Sequence, residues 1–294
     1  SLEGRNGCLA FTYVEKDRKN FCAGATATKS VFCFDNRIVH IGTGITNNSP
    51  YPTETTIYQL KLDDKTEEAD IGDVYAETFP FSYKHMEDGK INLTDTKGNI
   101  YIIRNGYGLV LEKKAQTSPS DTKKKTGTNN FITAYIDHGS SPQNASYEYL
   151  MLVKPNSKEE SKYSKKLPYS VLQADDAAHV VNDEITGITA YISYKGYASD
   201  KTLLAEAEAE TIVMERTKAD GSVVMSICTP DLGITQKGYT TTQPSQEIVK
   251  KVVLNGNWTL SDPCDAVKMT SDGNKTIIEV SCVHGQPVEI SLKS

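Results

Sequence analysis

Short runs of β-branched and aromatic residues, separated by turn residues, constrain the fold of this chain more than any other feature. Such runs occupy residues 131–136, 211–215 and 276–282, and they recur along most of the chain. Between them stand pairs such as Asn105-Gly106 and Asp220-Gly221, which tolerate the positive φ of tight hairpin turns. Helical periodicity is almost absent. The pattern therefore predicts an all-β fold made of antiparallel β-sandwich domains.

Two segments depart from the strand pattern. Residues 156–166 are polar, with Ser157 as a candidate N-cap, Glu in the first turn and Lys in the last, which predicts a short surface helix. Residues 202–210 contain good helix formers but alternate with period two at their end, so helix and irregular connection both remain open. We expect a first sandwich over 1–156, a linker helix over 157–166 and a second sandwich over 167–294.

Composition and charge limit the partners of the chain. The net charge of -6 over 294 residues argues against nucleic acid, because proteins that bind polyanionic backbones normally carry an excess of Lys and Arg. No apolar run approaches the length of a membrane span, and the first residues lack the features of a signal peptide. We therefore expect a soluble chain, with neither nucleic acid nor a membrane as partner.

The cysteines and acidic clusters point to no cofactor. None of the six cysteines belongs to a C-x-x-C pair or to a His/Cys cluster with zinc spacing. Several stand inside apolar strand runs, where a free thiol acts as a small core residue, and one or two disulfides remain open. Asp63-Asp64, Glu67-Glu68 and Asp175-Asp176 lack the spacing of a calcium-binding hand, so solvated turns are expected, although a structural calcium ion remains open.

A predicted hairpin carries the most specific motif. Residues 30–34 and 37–41 are β-rich runs around the turn Asp35-Asn36. The stretch Lys29-Ser-Val-Phe-Cys-Phe-Asp-Asn-Arg-Ile-Val-His-Ile-Gly-Thr-Gly-Ile45 and the following Glu54-Thr-Thr-Ile-Tyr-Gln59 resemble a signature of polysaccharide lyase family 8, the chondroitin and hyaluronan lyases. Asp137-His-Gly139 and Tyr147-Glu-Tyr149 resemble the segment that closes the central sandwich of these enzymes, and residues 167–232 are similar to their small C-terminal sandwich.

The resemblance implies cleavage of glycosaminoglycans by β-elimination, in which a base removes the C5 proton of a uronate and an acid protonates the departing oxygen. In the family a helical toroid supplies His, Tyr, Arg and Asn, and an earlier part of the central sandwich supplies a Glu. These residues would precede Lys29. No catalytic residue is therefore assigned here, and we expect the C-terminal β portion of a secreted or periplasmic bacterial lyase, inactive when isolated. It would support the missing catalytic helical domain and the substrate cleft.

An alternative of another class is a stand-alone carbohydrate-binding or adhesive sandwich module. A gene that encodes only this chain would favour the module, and an upstream helical domain with His and Tyr would favour the lyase. The sequence alone leaves both open.

The candidate substrate contacts are Glu54, Tyr107, Lys123, Lys124 and Lys125. A carboxylate among Thr residues accepts sugar hydroxyls, an exposed Tyr stacks on a sugar ring, and a Lys run in a polar loop attracts a polyanion. Each has a structural alternative: a strand carboxylate that binds neighbouring donors, a Tyr packed in the sandwich, and a solvated surface.

Other residues have mainly structural interpretations. Tyr101 and Trp258 are further stacking candidates, although Trp258 is expected to face the core. Asp137 and His138 are sequence neighbours on a strand, so their side chains should point to opposite faces, which argues against a catalytic pair. His40 stands in an apolar run with no partner cluster, and we expect a partly buried strand residue.

Overall fold

The computed structural model describes residues 1–15, 24–118, 126–235 and 243–294, and within these ranges the chain is almost entirely strand. The strands of the first half are β1 (Gly7–Val14), β2 (Thr26–Phe34), β3 (Arg37–Thr46), β4 (Pro52–Lys61), β5 (Asp70–Ile71), β6 (Val74–Tyr75), β7 (Phe81–Lys84), β8 (Ile91–Thr94), β9 (Ile100–Ile103), β10 (Leu109–Thr117), β11 (Thr128–Ser140) and β12 (Ala145–Leu152). After the helix α1 (Ser157–Lys165) come β13 (Tyr169–Ala174), β14 (Ala178–Asp183), β15 (Ile188–Ser193), β16 (Tyr197–Ala198), β17 (Leu204–Ala207), β18 (Thr211–Thr217), β19 (Val223–Cys228), β20 (Ile248–Asn255), β21 (Thr259–Leu260), β22 (Val267–Asp272), β23 (Lys275–Cys282) and β24 (Val288–Lys293).

The strands form two larger and two smaller sheets. The larger ones have the orders β1-β2-β3-β12-β9-β8-β5-β6 and β13-β14-β15-β18-β19-β24-β21, and the smaller ones β4-β11-β10-β7 and β16-β17-β20-β23-β22. Pairs such as β10 with β11 and β20 with β23 are antiparallel. The predicted all-β fold of antiparallel sandwiches is confirmed.

The contacts divide the chain into two compact units. The middle unit consists of Thr12–Lys29 and Asn36–Lys166, and the carboxyl-terminal unit consists of Ser1–Phe11, Ser30–Asp35 and Leu167–Ser294. Two short segments from the start of the chain thus belong to the unit that contains its end.

The core of the middle unit forms between a larger and a smaller sheet. Alternate residues of β10 and β11 point inward, so that Leu109, Leu111, Ile132 and Ala134 are fully buried and join residues of β9 and β12 in one apolar cluster. This alternation is what a half-buried antiparallel strand requires.

Lys113 continues the inward row of β10. The run 113–125, rich in Lys, Ser, Thr and Gly, has the composition of a loop, which predicts that Lys113 is a loop residue. This prediction was wrong, because Lys113 belongs to β10 and is 0% exposed. Its Nζ donates to the carbonyl oxygens of Glu67 at 2.8 Å and Ala76 at 2.9 Å. Burial lowers the pKa of the ammonium, and nearby Glu67 raises it in part. The side chain thereby fastens the segment between β4 and β7 to the sandwich.

The core of the carboxyl-terminal unit joins its seven-stranded and five-stranded sheets. Buried apolar side chains come from both sheets, and they include Tyr191, Val213 and Met225 on one side and Val252 and Ile278 on the other. These strands lack the polar alternation of a solvated face: β19, for example, is buried from Val223 to Ile227.

The predicted helix is present as α1, and its N-cap is Asn156 rather than Ser157. The Asn156 side chain accepts from the N–H groups of Lys158 and Glu159, and Glu159 returns a bond to the Asn156 N–H, which completes a capping box. The segment 202–210 contains β17, so the period-two alternation was the better guide there.

The described cysteines, Cys8, Cys33, Cys228, Cys264 and Cys282, are free thiols. Cys22 lies outside the described residues. Within the described part of the chain, no helix has the length and hydropathy needed to cross a membrane.

Candidate functional site

Glu54 lies on the outer face of the four-stranded sheet of the middle unit. Strand β4 pairs with β11 so that Glu54 stands opposite Asp137 and Thr56 opposite Tyr135. On these strands Thr55 and Ile136 point inward and are buried, which leaves their neighbours on the outside. We call Glu54, Glu112, Tyr135, Asp137 and their lysine partners Lys84 and Lys114 the outer-face cluster.

Ion pairs hold two of its carboxylates. Lys84 Nζ lies 2.7 Å from Asp137 Oδ2, and the Gly139 N–H donates to Asp137 Oδ1 at 2.8 Å. The hydrogen bond from Lys84 is the main reason that the pKa of Asp137 falls below its usual range. Lys114 forms an ion pair with Glu112 in the same way. Asp137 is therefore ionised at neutral pH, and each of the two carboxylates is occupied by a lysine.

Glu54 differs from its neighbours because no ion pair is found for it among the described residues. Burial raises the pKa of Glu54, and the charges of Asp137 and Glu112 raise it further. The Tyr135 hydroxyl donates to Glu112 Oε1 over a long 3.5 Å, and burial, followed by the charge of Glu112, raises the pKa of Tyr135 to about 12. The cluster thus offers carboxylate oxygens and a neutral hydroxyl, which are groups that bind sugar hydroxyls.

Tyr107 lies at the same end of this sheet. Its side chain is 51% exposed. Its backbone N–H donates to Oδ1 of Asn105, two residues earlier, at 3.1 Å. The next residue, Gly108, has φ +79 and accepts from the Asp137 N–H at 3.0 Å. A Cβ at Gly108 would lie 2.8 Å from the Asp137 carbonyl oxygen, so this close approach requires glycine. The structure thereby brings Glu54 and Tyr107, through Asp137, to one end of the sheet.

Lys123, Lys124 and Lys125 lie outside the described residues. The strands that lead to this segment pair as far as Thr117 and Thr128. That pair is eight residues along β10 from the Leu109–Ile136 pair, or about 27 Å at the usual rise of a strand. The described ends of β10 and β11 at Thr117 and Thr128 therefore lie at the opposite end of this strand pair from Glu54 and Tyr107.

His138 points away from Asp137, as predicted. Its Nε2 lies 2.9 Å from Oγ1 of the buried Thr55. Burial, and then the charge of Lys29, lowers the pKa of His138, so the imidazole is neutral at pH 7. Lys29 Nζ lies 5.8 Å from the centre of the Tyr147 ring. The separation of Asp137 and His138 excludes an Asp-oriented catalytic histidine here.

The remaining aromatic candidates are structural. Of the two interpretations of Tyr101, a stacking face or packing in the sandwich, the structure supports packing, because Tyr101 is 3% exposed within the core of the middle unit. Trp258 packs against the core of the carboxyl-terminal unit, and its Nε1 donates to the Asn255 carbonyl at 2.8 Å. The His40 ring stacks on Tyr149 at 4.4 Å, and burial lowers the pKa of His40 to about 4.

The acidic clusters are turn caps where the structure describes their contacts. Asp64 Oδ1 accepts from the N–H and hydroxyl of Thr66, both at 2.9 Å, and Asp175 Oδ1 accepts from the N–H groups of Ala177 and Ala178. Among the described residues, no group of three or more His, Cys, Asp or Glu side chains is arranged to hold a metal ion.

Sequence reasoning did not identify Lys84, Glu112 and Tyr135 as neighbours of Glu54. For Glu112 and Tyr135 the sequence signal was the period-two alternation of β10 and β11, which places both residues on the outer face. The register that sets them beside Glu54 depends on pairing between strands distant in sequence.

Comparison with known proteins places the chain in a family. A family model described as the super-sandwich domain of polysaccharide lyase family 8 matches residues 1–165. The chondroitin sulfate ABC endolyase of Proteus vulgaris is 27% identical over 99% of this chain and 28% of that protein. The chondroitin sulfate ABC exolyase of Bacteroides thetaiotaomicron is 27% identical over 98% of this chain and 29% of that protein.

Solved structures share the fold. Paenibacillus xanthan lyase superposes with a TM-score of 0.78 at 18% identity, covering 99% of this chain and 28% of that one. Streptomyces coelicolor A3 chondroitin AC lyase, solved in complex with chondroitin sulphate, superposes with a TM-score of 0.69 at 17% identity, covering 97% of this chain and 34% of that one. The chain spans less than a third of the length of the two curated relatives above. Since the family match covers more than half of its residues, this chain belongs to polysaccharide lyase family 8.

Proposed function

We propose that this chain is the C-terminal β-sandwich region of a lyase that cleaves chondroitin sulfate or hyaluronan by β-elimination, and that it carries no catalytic residue. The substrate class rests on the family membership and on two relatives named as chondroitin sulfate ABC lyases, which align with nearly the whole chain. Both relatives are more than three times as long as the matched region, which leaves room for a catalytic domain elsewhere.

The arrangement of titratable groups carries the non-catalytic part of the proposal. β-Elimination needs a base at the C5 proton, an acid at the leaving oxygen and a partner for the uronate carboxylate. In the outer-face cluster, Asp137 and Glu112 are each paired with a lysine, and His138 is turned inward onto Thr55. Asp137, Glu112 and His138 are therefore each already engaged by a neighbouring side chain, which disfavours them as the base of the reaction.

The proposed role is support. Two sheets packed around an apolar core hold their outer faces rigid. A rigid surface of this kind keeps a catalytic domain and its substrate in a fixed relative position. In this proposal the partner is a helical catalytic domain of the same enzyme, and the enzyme acts outside the cytoplasm on an extracellular polysaccharide. The two sandwiches are built mainly from residues 1–156 and 167–294, on either side of the linker 157–166, with residues 1–11 and 30–35 added to the second.

Glu54 and Tyr107 are the proposed contacts to the sugar chain at one end of the four-stranded sheet. Glu54 supports this assignment because its carboxylate lacks a lysine partner within the described residues, and Tyr107 because half of its surface is exposed. Lys123, Lys124 and Lys125 are proposed as contacts to anionic groups further along the same hairpin.

Elimination can be measured directly, because each cleavage creates an unsaturated uronate that absorbs ultraviolet light. The purified chain is incubated with chondroitin sulfates, dermatan sulfate and hyaluronan, beside the full-length Proteus vulgaris endolyase as positive control. We expect product only in the control. Unsaturated product formed by the chain alone would overturn the non-catalytic assignment and would require a base among the residues described above.

A further inference from the structure

A shallow pocket of about 330 Å³ lies in the carboxyl-terminal unit, on the outer face of the five-stranded sheet. Ala198, Glu206 and Val253 occupy adjacent register positions on β16, β17 and β20, and Lys251 lies two residues before Val253. The alternate residues, including Ala207 and Val252, point into the core. The volume suits a ligand of one or two sugar rings.

The floor of the pocket is apolar and fixed. Val253 is only 5% exposed although it faces outward, and the small residues Ala198 and Gly196 line the pocket beside it. Gly196 has φ +118, a conformation that other residues rarely adopt. The Tyr197 hydroxyl lies 2.7 Å from Thr202 Oγ1, which holds the tyrosine in the core below. An apolar floor of this kind accepts the C–H face of a pyranose ring.

Two carboxylates on the rim are positioned before any ligand arrives. Glu206 Oε1 lies 2.9 Å from Lys275 Nζ, and Glu208 Oε2 accepts from the Lys251 N–H at 3.0 Å. Lys250 Nζ donates to the carbonyl of Ala209 at 2.9 Å and so holds the segment that carries Glu208. Carboxylate oxygens fixed in this way are acceptors for vicinal hydroxyl groups.

Two ammonium groups complete the rim. Lys195 has only a long contact of 3.5 Å to Asp176, and both side chains are about two-thirds exposed, so this pair contributes little and can yield to a ligand. No ion pair is found for the Lys251 ammonium within the described residues. The rim therefore carries two positive and two negative charges, which disfavours a densely charged polyanion and favours a ligand with one anionic group among several hydroxyls.

We propose that this pocket binds one hexuronate unit of an oligosaccharide, at a site separate from the outer-face cluster. Lys251 and Lys195 contact the carboxylate, Glu206 and Glu208 accept the ring hydroxyls, and Val253 and Ala198 contact the ring. That such sugars reach the protein rests on the proposed function, whereas the pocket rests on its own geometry.

The test is a titration of the 294-residue chain with an unsulfated chondroitin tetrasaccharide, in which binding is measured by calorimetry and by the shifts of amide NMR signals. We expect saturable binding with shifts at the amides of Gly196, Ala198 and Glu206. Lys251→Met should weaken binding about fivefold, the effect of one exposed ionic contact of about 1 kcal/mol. Lys218→Met, which removes an exposed lysine in the turn after β18, should leave affinity unchanged.

A second variant, Ala198→Trp, fills the pocket without changing charge and should abolish binding. Melting temperatures close to that of the parent chain show that each variant is folded. Unchanged affinity in both Lys251→Met and Ala198→Trp would overturn the proposal, as would shifts confined to the outer-face cluster or equal binding of neutral maltotetraose. These results are independent of the elimination assay, because a failed pocket leaves the lyase assignment intact and elimination by the chain leaves the pocket intact.

Discussion

Two buried titratable side chains should give the carboxyl-terminal unit opposite pH dependences that nearly cancel. His179 is 0% exposed, its Nδ1 lies 2.7 Å from Ser30 Oγ, and burial lowers its pKa to about 4, with Asp175 opposing this in part. Glu215 is 6% exposed and accepts from the Tyr191 hydroxyl at 3.2 Å. Burial raises the pKa of Glu215 to about 7.

The signs follow from which state binds the proton. For His179 the folded pKa lies below the unfolded value of 6.5, so stability that is present above pH 6.5 is lost as the pH falls toward 4. For Glu215 the folded pKa lies above the unfolded value of 4.5, so stability that is present below pH 4.5 is lost as the pH rises through 7. Between pH 7 and pH 5 each effect amounts to about 2 kcal/mol, with opposite sign.

Single substitutions should therefore reveal each of the two pH dependences, because the two effects nearly cancel in the parent chain. His179→Gln keeps a polar group beside Ser30 but does not titrate, and its free energy of unfolding should rise by about 2 kcal/mol from pH 7 to pH 5, relative to the parent. Glu215→Gln keeps the acceptor for Tyr191, and its free energy of unfolding should fall by about 2 kcal/mol over the same interval. The double variant should regain the pH dependence of the parent.

Urea denaturation at pH 7 and pH 5 measures these differences, and comparing each variant with the parent removes the contribution of other titrating groups. If His179→Gln and Glu215→Gln both showed the pH dependence of the parent chain, the assignment of these two protons would be refuted.

Three further substitutions test the packing, each by urea denaturation. Lys113→Ala should lower the free energy of unfolding by about 2 kcal/mol, because two buried carbonyls lose a charged donor, while Lys114→Ala at the exposed neighbour should cost less than about 1 kcal/mol. Gly42→Ala places a Cβ 2.1 Å from Tyr147 Cε1 and should lower the free energy of unfolding by about 2 kcal/mol. The same substitution made in a Tyr147→Ala background should have a much smaller effect, because the clashing ring is then absent. Asn156→Ala should cost about 1 kcal/mol through loss of the α1 cap. Losses below about 0.3 kcal/mol at Lys113, Gly42 or Asn156 would contradict the corresponding contact.

Local signals were enough for most strands and turns. The turn after β2 has Asp35 at φ +53, as its residue type allows, and the apolar run 131–136 forms the centre of β11. The acidic pair Asp175-Asp176, interpreted as a solvated turn, stands between β13 and β14, and local signals do not specify the partners of these strands in the sheet. Local propensity carries little information where packing against distant strands decides the conformation.

The candidate site was predictable only in part. Glu54 and Tyr107 were selected one at a time, and their common position at one end of a sheet follows from a register between β4, β10 and β11 that sequence patterns do not reveal. Lys113 shows the opposite failure. Its place in the alternation with Leu109 and Leu111 pointed inward, but residue type outweighed periodicity in the prediction, since lysine is rarely buried without partners.

The composition of the carboxyl-terminal unit from three segments has a consequence for how the protein is made. Ser30 and Glu3 hydrogen-bond to His179 and Arg216, which follow them by 149 and 213 residues. On the ribosome these two segments emerge early, but the part of the carboxyl-terminal unit on which they pack is complete only after residues 167–294 have been synthesised, whereas paired strands of the middle unit such as β3 and β12 lie closer in the sequence. A gene cut after Lys166 would therefore express two segments without the residues 167–294 on which they pack, and apolar surface exposed in this way promotes aggregation.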